Sequence, residues 1–271
     1  MKKKKFRPNA ALVWGTVIVA FFVLVAVFAP VLSPYDPHEL GIPYLKPGAE
    51  HILGTNDVGQ DILSELIYGT RISLFIGIFT AVLVTCLGTL FALLAGFYGG
   101  AADRCITGLT NVTMALPNLA LTMLLIAYLN PGKMSVIISI SVTAWTGTAR
   151  VLRARVLQLT EMPFVKMEKA LGIPTPVILV KHIVPNLKDM ILSRAALAVS
   201  TAMMTEASLS FLGLGDFGEK SWGNILHYAF YQNGVIRGYY WWYLPPIICT
   251  ALATLGFMLL GYYGVQRKEA E

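Results

Sequence analysis

Charge is scarce in this chain. Only 13% of its 271 residues are Asp, Glu, Lys or Arg, against 56% hydrophobic, where soluble domains carry about a quarter charged. A soluble fold of this length could not cover so much apolar surface. An integral membrane protein is left, in keeping with a mean hydropathy of +0.64. Cysteine is nearly absent. Cys86, Cys105 and Cys249 are scattered through apolar stretches without paired spacing, which signals neither a disulfide framework nor a thiolate metal site. The four histidines, His38, His51, His182 and His227, have no ligand spacing. A phosphate-cradling loop is missing too, because "GEKS" at 218–221 puts Glu219 where a P-loop needs its glycine–lysine junction. "GLGDFG" at 213–218 has dinucleotide-site spacing but follows an apolar span instead of a strand, so it reads as a turn at a helix end.

Long apolar runs are plentiful. A hydrocarbon core of ~30 Å needs about 20 apolar residues as helix. Charge-poor segments at 11–32, 72–102, 105–132, 134–149, 195–215 and 238–266 predict an all-α membrane protein of about six transmembrane helices. The first run is too long for a signal-peptide core and is expected to remain as a span. With both termini cytoplasmic, sixteen of the 21 Lys and Arg fall on the inside, as the positive-inside rule requires. The net charge of +6 therefore reflects orientation, not nucleic-acid binding. The expected organisation is a basic cytoplasmic arm at 1–10, a first span at 11–32, an extracytoplasmic loop at 33–70, a membrane core at 71–266 and a cytoplasmic tail at 267–271. The core includes a cytoplasmic loop at about 156–186 and an extracytoplasmic loop at about 213–237. Tyr239, Tyr240, Trp241, Trp242 and Tyr243 are expected as an aromatic belt at the outer interface, and Pro117, Pro245 and Pro246 as helix kinks.

One polar stretch interrupts the core, "PFVKMEKALGIPTPVILVKHIVPN" at 163–186. Pro163 suits the first turn of a helix and Gly172 its C-terminal cap. Between them, Phe164, Met167, Ala170 and Leu171 share one face by i, i+3, i+4 spacing. A helix of two turns is marginal in water and must be held by its own domain or by a partner. Two readings fit it, a helix lying on lipid headgroups and a dock for a cytosolic protein. Glu206, alone in an apolar run, also has two readings. It lines a translocation path or bonds a broken helix end, or else it is a packing carboxyl bonded to a hydroxyl such as that of Ser208. Paired carboxylates, a Ser/His arrangement and His ligands at membrane depth are missing, which argues against a membrane enzyme. A stand-alone ion-coupled transporter would show more intramembrane polar residues and symmetric halves.

"KALG" followed nine residues later by "HIVPN" resembles the cytoplasmic loop of bacterial ABC importer permeases. "APVLSPYDP" at 29–37, "HILGTNDVGQDILSELIYGTRISL" at 51–74, "GFYGGAAD" at 96–103, "SFLGLG" at 210–215, "SWGNIL" at 221–226 and "PPIICTALATLGFMLLG" at 245–261 are similar to the second permease subunit of the dipeptide, oligopeptide and nickel group. The resemblance implies a type I importer permease fold. It implies a coupling helix that docks an ATPase, formed by Phe164, Val165, Lys166, Met167, Glu168, Lys169, Ala170, Leu171 and Gly172, with His182, Pro185 and Asn186 beyond it. Met203, Glu206 and Ser210 become candidates for the translocation path. The implied partners are a homologous second permease, two ABC ATPases, an extracytoplasmic solute-binding protein and the bilayer of a bacterial or archaeal cytoplasmic membrane. The chain itself would hold no cofactor and perform no bond chemistry, since ATP and Mg bind the ATPases. Di- and oligopeptides are the implied cargo, with nickel or a metal chelate as the alternative. The sequence departs from the family where Lys166, Met167 and Glu168 replace its Glu-Ala-Ala, and where Asn56, Gln60 and Glu65 replace residues more often Asp, Arg and Arg.

Overall fold

The computed structural model describes residues 10–130 and 132–264. The expected basic arm and C-terminal tail therefore lie almost wholly outside the described residues. Among those described, the fold is all-helical, with one isolated antiparallel bridge between Thr55 and Asp61 and no strand.

The first helix, α1 (Ala10–Val27), is followed by one turn, α2 (Ala29–Leu32). A polar loop then leads to α3 (Ile62–Leu93), which continues through a π turn, Leu94–Tyr98. α3 begins ten residues before the first charge-free position at 72. Asp61 caps it by accepting from the Ser64 N–H at 2.8 Å, and Glu65 is buried in its first turn. A charge therefore marks the helix start here, not a span boundary.

The third apolar segment is two helices, α4 (Gly100–Ala115) and α5 (Asn118–Tyr128), bent by 94°. Pro117 is the cause. It lacks an N–H and forces Leu116 into extended backbone, φ −89° and ψ 142°. α6 (Lys133–Thr160) runs well past the apolar segment that signalled it. Two short helices follow, α7 (Pro163–Ala170) and α8 (Thr175–Ile178), then a second π turn, Leu179–Ile183. α9 (Val184–Phe211) starts eleven residues before 195. α10 (Trp222–Tyr231) is capped by Ser221, which accepts from the Asn224 N–H at 3.2 Å. α11 (Tyr240–Tyr263) passes through Pro245 and Pro246 as one helix.

Four of these helices are long and apolar enough to cross a membrane, and five if the bent α4–α5 pair is one span. α9 is as long as α6, but Lys188, Asp189, Arg194 and Glu206 keep it outside that apolar set.

α3 packs on α6 and α9, α9 on α11, and α11 on α1. Small residues bring the backbones close, as in other membrane bundles. A Cβ on Gly256 of α11 would lie 2.8 Å from Ile18 of α1. Hydroxyls tie the same seams. Ser200 donates to the Thr254 carbonyl at 2.7 Å, and Ser193 to that of Gly261. At one end of the bundle the loop over 33–61 folds onto α10 and α11. Tyr44 lies 5.0 Å from Tyr239 and 6.2 Å from Trp242, ring to ring. Trp242 is fully buried and Trp241 nearly so. The expected aromatic belt thus fails for these two tryptophans, which serve as core beneath the loop, while Tyr240 stays exposed.

Candidate functional site

The polar stretch at 163–186 sits at the opposite end of the bundle from that loop. Pro163 opens α7 and Gly172 closes it at φ +75°. The Ile173 N–H reaches the Glu168 carbonyl and the Gly172 N–H that of Lys169, both at 3.1 Å. This is a Schellman cap, and its left-handed position suits glycine. Val165 is the anchor. It is fully buried with Val156, Leu159, Ile178, Ile183 and Leu187, and Ile173 packs against the same cluster. Burying a valine is worth about 1.5–3 kcal/mol, which helps hold a helix too short to persist alone.

The other apolar residues of α7 do not join that core. Met167 is 64% and Leu171 72% exposed, and Phe164 and Met162 are exposed as well. The stretch thus has an inward anchor and an outward apolar face. Its charges are arranged around that face. The Lys169 ammonium lies 4.2 Å from the centre of the Phe97 ring. Lys166 turns back to Glu161 at 2.8 Å and holds that carboxyl below its ordinary range by hydrogen bond and charge. Glu168 meets the His182 ring at 3.1 Å, so one departure from the family pattern finds its partner in the "HIVPN" segment. Pro185 has no N–H to offer the preceding turn. The π turn lies just before it, and Asn186 Nδ2 donates to the His182 carbonyl at 2.6 Å.

Met203, Glu206 and Ser210 all lie inside the bundle. Met203 packs against Gly77 of α3. Glu206 is 1% exposed and accepts from Ser210 Oγ at 2.8 Å. Its hydroxyl partners are therefore Ser210, one turn on, with Ser221 and Ser73 beside it, while Ser208 donates to its own helix at the Met204 carbonyl. The "GLGDFG" stretch starts where α9 ends. Gly213 takes φ +80° in a second Schellman cap, with Leu214 N–H on the Leu209 carbonyl at 2.9 Å.

Two polar clasps at this end were not visible in the sequence. Lys220 donates to Glu65 at 2.7 Å and to Gln60 at 2.6 Å, and Asn56 donates to both at 3.0 Å. Lys133 bonds Glu219 at 2.6 Å through its ammonium and Asp216 at 3.1 Å through its backbone N–H. The partners are up to 160 positions apart, beyond the reach of any spacing rule.

A cleft of about 480 Å³ opens between α5, α6, α9 and α11. Thr143, Thr146 and Thr148 of α6, Ser200 and Thr201 of α9 and Arg194 are among its walls, and Met203, Glu206 and Ser210 are not. Arg194 looked like the end of a loop in the sequence. Pro185, a residue suited to a helix start, was the signal that α9 begins earlier and takes Arg194 inside.

Residues 88–269 match the family model described as binding-protein-dependent transport system inner membrane component, and residues 3–47 that of the N-terminal TM domain of oligopeptide transport permease C. The oligopeptide transport system permease protein OppC of Bacillus subtilis is 38% identical over 78% of this chain and 70% of its own. The dipeptide transport system permease protein DppC of the same organism is 32% identical over 95% of this chain and 81% of its own. Among solved structures, an inward-facing conformation of the MetNI methionine ABC transporter aligns with a TM-score of 0.62 at 16% identity, covering 76% of this chain and 96% of that one. At that identity the likeness concerns the fold.

Proposed function

The chain belongs to the family of binding-protein-dependent transport system inner membrane components, and on that premise we propose that it is one permease subunit of an ATP-driven importer of di- and oligopeptides. Its location is the bacterial cytoplasmic membrane, with both termini and the 156–186 loop cytoplasmic and the 33–61 and 212–239 loops outside. It pairs with a homologous permease. ATP and Mg belong to two ABC ATPases, and a solute-binding protein delivers cargo from outside. Relatives named for peptides rather than metals support the peptide reading over nickel.

The observation that carries this reading is the two-sidedness of α7. Val165 ties it to the permease, and Phe164, Met167 and Leu171 face away. An exposed apolar face of this kind, ringed by Lys166 and Lys169, suits a groove on a water-soluble ATPase. ATP-driven closure of the two ATPases would move α7, and α9 would carry that motion to the far end of the bundle. There Met203, Glu206 and Ser210 lie beside α3 and α10, at the seam that must shift for the path to open outward.

The test is co-purification of the tagged chain with its ATPases, and peptide uptake, for the wild type and for Met167→Asp with Leu171→Asp. The wild type brings down ATPase subunits and imports peptide with ATP. The variant stays folded but loses both. A wild type that purifies alone and transports without ATP sinks the importer reading.

A further inference from the structure

Arg194 is out of place for a group in a membrane bundle. It lies ten residues into α9, about 15 Å from the helix start, and lines the 480 Å³ cleft. A charge at such a position is costly unless it meets a partner. Three cations elsewhere in the chain have one. Arg153 is held by Asp103 at 2.5 Å, Lys220 by Glu65 and Lys133 by Glu219. Among the described residues, Arg194 is paired with no carboxylate, and its buried Nε has no hydrogen-bond partner. Among the described residues, the cleft wall contains no acidic residue. Across it stands Gly147 of α6, where a Cβ would come 3.7 Å from the Arg194 guanidinium. Among the described residues, the one charged group of the cleft thus faces a wall otherwise built from hydroxyls, amide and apolar groups.

We propose that Arg194 receives a carboxylate of the peptide cargo during its passage through this cleft. The proposal rests on the importer reading and names the chemistry that this chain contributes to it. A guanidinium offers a planar fork of donors that matches a carboxylate with two parallel hydrogen bonds. Asn118 and Thr148, also in the wall, can serve the remaining lone pairs. Every free peptide carries one such group at its C-terminus, and an acidic side chain carries another. The same cation repels a peptide's ammonium group and a bare divalent metal. Cargo is therefore taken up carboxylate first at this position, and the cleft's volume lies in the range of roughly 300–1,000 Å³ typical of small-molecule sites.

The experiment uses the assembled importer in proteoliposomes with saturating binding protein. A peptide carries a photoreactive group on its C-terminal residue, or in a second version on its N-terminal residue. The C-terminal probe labels the 194–202 and 143–148 segments at least tenfold more than the N-terminal probe. Arg194→Gln lowers uptake at least tenfold and erases that bias, while ATP hydrolysis stimulated by the binding protein stays within twofold. Arg194→Lys restores part of the uptake. An amidated peptide with one internal glutamate separates the two carboxylates. Transport at the free-acid rate means any carboxylate serves, and a tenfold loss assigns the terminus. Equal labelling by both probes overturns the proposal. So does an Arg194→Gln variant that loses assembly and ATP hydrolysis together, with Lys restoring both, since Arg194 would then pair with an acid of the neighbouring permease. Absence of peptide uptake by the wild type would instead overturn the importer reading.

Discussion

Lys220 and Glu65 stand 155 positions apart in the chain and 2.7 Å apart in space. The carboxylate is buried and its other oxygen has no partner among the described residues, so the ammonium is its main compensation. Removing one member of a buried pair costs more than removing both. Lys220→Met should lower stability by roughly 3 kcal/mol, and Lys220→Met with Glu65→Gln should recover most of it. Thermal unfolding of the purified protein in detergent reads both. A double variant no more stable than the single one would show that the pair does not act as a unit.

Val165 and Leu171 are six residues apart on α7 and have opposite surroundings, one fully buried and one 72% exposed. Val165→Ala should cost about 2 kcal/mol through lost burial and the cavity left behind, seen as a lower unfolding midpoint. Leu171→Ala should leave that midpoint unchanged. Equal effects would mean that α7 is not anchored by Val165.

The seam of α1 on α11 depends on a small residue. Gly256→Leu should destabilise by about 1–3 kcal/mol through overpacking, because the added Cβ meets Ile18 at 2.8 Å and Val19 at 3.1 Å. Adding Ile18→Ala should return part of the loss. Unfolding midpoints of the single and double variants decide whether the two helices touch where the structure puts them.

Orientation can be read by labelling. In a background without Cys86, Cys105 and Cys249, Glu50→Cys should react with a membrane-impermeant maleimide on intact cells. Glu161→Cys should react only after permeabilisation. Both parent residues are exposed in the structure. The reverse pattern would invert the proposed topology.

The all-helical membrane class of the fold was legible because membrane insertion is governed by runs of apolar residues, which are local. Gly172 as a cap was legible for the same reason, since a left-handed residue at a helix end is a local requirement. Helix starts were less so. Glu65 looked like part of the 33–70 loop and Arg194 like the end of the cytoplasmic one because a charge normally ends a span, yet both lie inside helices. Their cost is met, or left open, by groups distant in sequence. Asn56, Gln60 and Glu65, three separate departures from the family pattern, meet at one ammonium. One-dimensional spacing contains no trace of that meeting. Trp241 and Trp242 misled because aromatic clusters near a span end fit a belt and a loop-covered core equally well.

α9 runs unbroken for 28 residues, about 42 Å at 1.5 Å per residue. It starts beside the α7 anchor and ends at the turn that leads to Asp216 and Glu219. A carrier open at both faces at once would short-circuit the ion gradients of the cell that makes it. On the proposed importer reading, a single stiff rod between the two ends of the bundle makes that leak hard to reach, because moving one end moves the other.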